Sequence, residues 1–252
     1  MSVFLSVENI KLTYQTSHSE TQAIKDVSFV VEKGQFISIV GPSGCGKSTL
    51  LSCIAGINTP TDGRIMLEGR QVKGINTSIG YMLQSDNLMP WRSIYKNVVI
   101  GLEIQNKLTK ENTDYACSLL KKYGLWEFKD SYPSALSGGM RQRVALIRTL
   151  AVRPRLLLLD EAFSALDYQT RVDVSRDVYS ILRSENQTMI MVTHDIPEAV
   201  SMSDRVIVLS KRPATVAGDV AVPFATDRDI MAVRTGSLYQ QCYDSVWKEM
   251  TR

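Results

Sequence analysis

Gly41-Pro42-Ser43-Gly44-Cys45-Gly46-Lys47-Ser48, followed by Thr49, is the stretch that decides the fold of this chain. It matches G-x-x-x-x-G-K-[ST] at every fixed position. An apolar run, Phe36 to Val40, precedes it and a helical pattern from Lys47 to Ile57 follows. In that setting the glycines let the backbone curl until successive N–H groups converge on a phosphate. Lys47 is placed to reach the outer phosphates, and the Ser48 hydroxyl to ligate Mg2+. Gly41 to Thr49 are therefore the candidate nucleotide contacts. Cys45 admits two readings: a small spacer, or a redox-sensitive thiol whose pKa the helix N-terminus lowers.

A phosphate loop also needs a carboxylate that holds metal, and Leu156-Leu157-Leu158-Leu159-Asp160-Glu161 supplies one. Four consecutive leucines make a strand buried on both faces, so the acids emerge at its C-terminal end, where open α/β sheets bind ligands. Asp160 is the candidate metal holder, and Glu161 the candidate that orients and polarises an attacking water. Thr188 to Val192 and Asp204 to Leu209 read as further core strands, with a helical stretch, Val172 to Leu182, as the crossover before Thr188.

Towards the N-terminus, Val3 to Val7 and Val27 to Val31 read as short strands around a loop-like segment, Thr16 to Thr21; Arg64 to Leu67 and Ile79 to Leu83 read as two more. Between them and Leu156 the pattern turns helical, over Ser93 to Ile104 and Thr109 to Tyr123. That region closes on Leu136-Ser137-Gly138-Gly139-Met140-Arg141-Gln142-Arg143, where a serine and two glycines precede a helix-forming run, Val144 to Val152. Small residues with free backbone N–H groups at a helix N-terminus form a ready anion site.

Phosphate loop, acidic strand and Leu136–Arg143 stretch, in this order, resemble the ATP-binding cassette (ABC) ATPases over about Val3 to Leu209. The resemblance implies an α/β P-loop NTPase with a RecA-like core, an N-terminal antiparallel β subdomain and an inserted α-helical subdomain. It implies one domain over 1–252, with residues 1–84 and 151–218 as nucleotide-binding core and β lobe, 85–150 as helical subdomain and 219–252 as tail. Leu136 to Arg143 then correspond to the signature motif, with Ser137, Gly138 and Gly139 facing the γ-phosphate of ATP on another subunit. Tyr14 matches the aromatic that stacks on adenine, and Gln84 the glutamine near metal and water. His194 matches the histidine at the γ-phosphate. Ser164-Ala165-Leu166-Asp167 is similar to the loop linking the two sites of a dimer, the alternative being that Asp167 caps the next helix. Ala162 stands where the family often has proline, which removes a backbone constraint but no chemical group.

Leu88-Met89-Pro90-Trp91 is similar to the region facing a permease, with Trp91 either the contact or packed in the helical lobe. With Leu136–Arg143 and Val206–Pro213 it points to the nitrate, sulfonate and taurine importer branch, whose relatives also serve vitamin precursors. The implied cofactors are ATP and Mg2+. The implied partners are a second copy, transmembrane permease subunits and, indirectly, a solute-binding protein, at the cytoplasmic face of the membrane.

Composition narrows the rest. The 252 residues are 44% apolar and 22% charged, an ordinary globular balance, with a net charge of +3 that argues for no nucleic-acid partner. No apolar run is long enough to span a bilayer, the N-terminus lacks a secretory layout, and the four cysteines show no metal spacing, all pointing to the cytosol. His18 sits in a polar loop and is expected to do no chemistry. A chromosome-type ATPase would need a long coiled coil in place of the compact insertion. A translation factor would carry two cassettes and a basic linker, and a module without turnover would have no use for Glu161 and His194. An exporter differs only in its membrane subunits.

Overall fold

The computed structural model describes residues 3–15, 19–164 and 166–251. Ala165 and His18 lie outside them. In chain order the strands are β1 (Val3–Gln15), β2 (Glu20–Glu32), β3 (Phe36–Val40), β4 (Asp62–Leu67), β5 (Arg70–Gln71), β6 (Ile79–Met82), β7 (Leu156–Asp160), β8 (Thr188–Val192), β9 (Arg205–Leu209) and β10 (Ala214–Ala221). The helices are α1 (Lys47–Ile54), α2 (Ile94–Ile104), α3 (Lys110–Lys122), α4 (Gly138–Ala151), α5 (Tyr168–Ser184), α6 (Ile196–Met202) and α7 (Ser237–Thr251).

Among the described residues the strands form one sheet in the order β5-β4-β1-β2-β10-β9-β3-β8-β7-β6. From β9 to β6 all neighbours are parallel, whereas β1, β2, β4 and β5 pair antiparallel. β3, β7 and β8 are buried along their whole length, as strands covered on both faces must be. Each buried leucine of β7 contributes about 2 kcal/mol relative to exposure.

Side-chain alternation divides the core. Leu157, Leu159, Met189 and Met191 pack with α2 to α5. Leu156, Leu158, Ile190 and Val192 pack with α1 and the antiparallel strands. The helical segment thus shares a continuous core with one sheet face. Helices α2, α3, α4, α5 and α6 start at Ser93, Thr109, Ser137, Asp167 and Asp195, each accepting a bond from a first-turn N–H.

Several elements differ from the sequence expectation. β1 and β2 run well past Val7 and ahead of Val27, to Gln15 and from Glu20, across part of the expected loop. A bulge at Asn9 (φ 50°) shifts the register between Val7 and Ile10, so one long strand keeps Ile10 and Leu12 in the core. α4 begins at Gly138, six residues before Val144, because the Ser137 cap starts the helix through both glycines. α5 likewise begins at its Asp167 cap, ahead of Val172. Residues 232–235 form a 3-10 turn and Ser237–Thr251 a helix, α7, within the stretch expected only as a tail. β10 carries Gly218 and Asp219, poor strand formers, yet pairs with β9 and β2. A boundary at 218 therefore divides a strand. None of the described helices is long and apolar enough to cross a membrane.

Candidate nucleotide site

The phosphate loop joins β3 to α1. Gly44 (φ 72°) and Gly46 (φ 117°) adopt the left-handed backbone that makes the curl. A Cβ on Gly41 would come within 2.8 Å of the Leu209 carbonyl, so β9 packs directly on the loop. Lys47 is buried, and its Nζ donates to the carbonyls of Gly41 (2.9 Å) and Pro42 (3.1 Å). The Cys45 thiol is buried and held above its usual range by desolvation. It presents no thiolate, which favours the spacer reading.

Four strand ends bring the remaining polar groups together. Ser48 Oγ donates to Asp160 Oδ1 (2.8 Å), and the phenol of Tyr81 donates to Asp160 Oδ2 (3.1 Å). Burial raises the Asp160 carboxyl pKa, against the lowering effect of these two bonds. Glu161 follows in a left-handed conformation (φ 46°), its N–H donating to Val192 O (2.9 Å) and its Oε2 lying 3.4 Å from His194 Nδ1. Gln84 Nε2 donates to Ser164 Oγ (3.0 Å), which donates to the Glu161 carbonyl (2.9 Å). Gln84, the Asp160–Glu161 pair and His194 thus gather beside the loop from three separate stretches of the chain.

The other candidates stand apart from that cluster. Ser137 bonds within its own helix, Oγ accepting from Met140 N at 3.3 Å. Gly138 and Gly139 form the first turn, Gly139 lying so close to α5 that a Cβ would touch Val174 and Thr170 at 3.0 and 3.1 Å. Asp167 caps α5, accepting from Thr170 N (3.1 Å), and the Thr170 side chain, together with this backbone bond, holds its carboxyl pKa below the usual value. The Tyr14 ring is 41% exposed at the end of β1, its hydroxyl accepting from Asn58 Nδ2 (3.2 Å). Trp91 is 74% exposed, which removes the reading that packs it in the helical lobe.

The donor set fits Mg2+. Ser48 Oγ and Asp160 Oδ1 are two hard oxygens side by side, and among the described residues no group of three His, Cys, Asp or Glu could form an all-protein cage. Mg2+ characteristically takes one or two protein oxygens and completes its shell with phosphates and water. Sequence reading missed two residues. Tyr81 could have been found from alternation in β6, which places it on the same side as Ile79 and towards α1. Asn97, buried in α2, left no local signal.

A parallel sheet whose first core strand ends in a glycine-rich phosphate loop, with an acid on the end of a nearby strand, defines a P-loop nucleotide hydrolase. The chain belongs to the ABC transporter family, whose model matches residues 24–164. It is 45% identical to an uncharacterized ABC transporter ATP-binding protein, YtlC of Bacillus subtilis, over 98% of this chain and 95% of that one. It is 38% identical to the nitrate import ATP-binding protein NrtD of Synechocystis, over 92% and 87% of the two chains. The dimeric cassette MJ0796 solved with ADP and Pi superimposes with a TM-score of 0.75 at 30% identity, covering 88% of this chain and all of that one. The chain is an ABC-type ATP hydrolase, and its relatives include nitrate and aliphatic sulfonate import ATP-binding proteins.

Proposed function

We propose that this chain is the ATP-hydrolysing subunit of a small-solute importer, working as a head-to-tail pair at the cytoplasmic face of the membrane. One observation carries the reading. Lys47, Ser48, Asp160, Glu161 and His194 meet at adjoining strand ends, while Ser137 is bonded only within a helix of its own. Each copy would supply one half of two composite sites. That MJ0796 is dimeric after hydrolysis supports the pairing.

Within a site, Lys47 exchanges its two carbonyl partners for phosphate oxygens, and Tyr14 stacks on adenine. Glu161 accepts a hydrogen bond from the attacking water at a carboxylate oxygen and takes up its proton as the water oxygen bonds to the γ-phosphorus and the bond from that phosphorus to the β–γ bridging oxygen breaks, leaving ADP and phosphate. His194, held by the same carboxylate, reaches the γ-phosphate. Ser48 and Asp160 would hold Mg2+, with Gln84 nearby, and the ion would supply neutralisation of phosphate charge. Ser137, Gly138 and Gly139 of the second copy bring a helix N-terminus to the same γ-phosphate, where charge develops in the transition state. Asp167 lies on the loop between the paired sites.

Exposed Trp91 is the proposed permease contact, in a segment that Asn97 holds in place. The nitrate importer among the relatives favours uptake, with a solute-binding protein as indirect partner. The solute class is nitrate-, sulfonate- or taurine-like, or vitamin-precursor-like, and rests on ancestry. The test is Glu161→Gln, which is expected to elute as an ATP-retaining dimer; elution as a monomer in excess ATP sinks the composite site. Recovery without permease subunits from membranes that hold them sinks the importer reading.

A further inference from the structure

Asp160 has two oxygens, and the Ser48 bond occupies only one. The other accepts from Tyr81, a half-buried residue of β6 whose ring packs against the cluster containing Leu50, Leu51 and Ile54 of α1. Parallel pairing places Tyr81 opposite Leu158, two residues before Asp160 on β7. Alternation then turns the Tyr81 and Asp160 side chains to the same side of the sheet, towards α1. Ser52, one helical turn after Ser48, lies close enough to the phenol to act on it electrostatically. Ser48 and Ser52 on one helix, with Tyr81 between Ser52 and Asp160, close a bracket around the carboxylate.

We infer that Tyr81 is a positioning residue for the metal site. By holding Oδ2 as an acceptor it fixes the rotation of the Asp160 carboxylate, so that Oδ1 faces the Ser48 hydroxyl. This deepens the proposed function and rests on Asp160 being the metal-holding carboxylate. A carboxylate pinned at one oxygen loses less rotational freedom when the other meets a cation. Partners that orient a ligand in this way typically change metal affinity about 10-fold or more when removed. Tyr81→Phe keeps the ring that packs on α1 and removes only the hydroxyl.

The test titrates Mn2+ by electron paramagnetic resonance into full-length protein saturated with a non-hydrolysable ATP analogue. Nucleotide affinity in EDTA is measured alongside. Tyr81→Phe is expected to weaken Mn2+ binding about 10-fold with metal-free nucleotide affinity unchanged. Asp160→Asn is the reference and should weaken Mn2+ binding more. If Asp160→Asn weakens it and Tyr81→Phe does not, the positioning role is wrong while the metal site stands. If Asp160→Asn has no effect, the metal assignment itself fails. Equal losses of metal-dependent and metal-free binding in Tyr81→Phe would make the tyrosine a structural prop and overturn the inference.

Discussion

Glu161 holds its carboxylate against His194 from a left-handed backbone position that costs a non-glycine residue about 1–2 kcal/mol. Its N–H bond to Val192 O ties that turn to the end of β8, the strand that leads to His194. A second glutamate nearby behaves differently. Glu198 in α6 is buried, accepts from Ser175 Oγ, and is pushed up to about 7 mainly by desolvation. Its folded-state pKa lies above the ordinary value of 4.5, so the native state binds the proton more tightly than the unfolded chain. That contribution to stability is complete below about 4.5 and is lost as pH rises through about 7. Glu198→Gln is therefore expected to flatten the dependence of Tm on pH across this window. It should gain stability relative to wild type at pH 8, by roughly 3 kcal/mol at most. Parallel Tm profiles for the two proteins would refute the assignment.

At the scale of elements, α4 does more than present the signature. Gln142 donates to the Gln84 carbonyl, Arg141 to the Asp86 carboxylate, and Arg148 to the carbonyls of Asp86 and Asn87. The segment after β6 is thus fastened to the signature helix, while the Gln84 side chain reaches back to Ser164. Any rotation of α4 must pull on Gln84. The next segment is pinned by Asn97, whose Oδ1 accepts from Met89 N (2.7 Å) and whose Nδ2 donates to the carbonyls of Met89, Arg92 and Ser93. Asn97→Ala strips partners from several backbone groups and is expected to cost about 2 kcal/mol or more. Hydrogen exchange should rise across residues 88–93 with ATP affinity unchanged; unaltered exchange there would show that Trp91 is held by other means.

For the whole molecule, composite sites make a prediction that no single chain can meet. Lys47→Ala spoils the phosphate loop but keeps the signature, and Ser137→Arg does the reverse while leaving ATP binding to its own loop intact. Each variant alone should release no phosphate. Mixed, they form heterodimers with one intact site, and phosphate release should return; a mixture as silent as its parts contradicts the head-to-tail arrangement. Much of this machine was legible in order along the chain. Gly41 to Ser48 and Leu156 to Glu161 each state their chemistry locally, because curled glycines and a leucine-rich strand need no distant partner to be recognised. β10 was not legible, since Gly218 and Asp219 speak against a strand until β9 and β2 flank it. Nor was the start of α4, where two glycines read as a loop until Ser137 caps them.

The sequence by itself determined the class of chemistry: a phosphate-binding lysine, a hydroxyl and two acids, spaced so that a parallel α/β sheet must bring them to the same edge. Tertiary structure decided the company each keeps. Pairing of β6 with β7 places the Tyr81 phenol on Asp160, and pairing of β7 with β8 sets His194 beside Glu161. Register between strands is fixed by the burial of whole faces, a property summed over the sheet. The signature followed the same division. Its small residues announced an anion-binding helix end, and packing of α4 against Gln84 and α5 decided which elements that end is joined to.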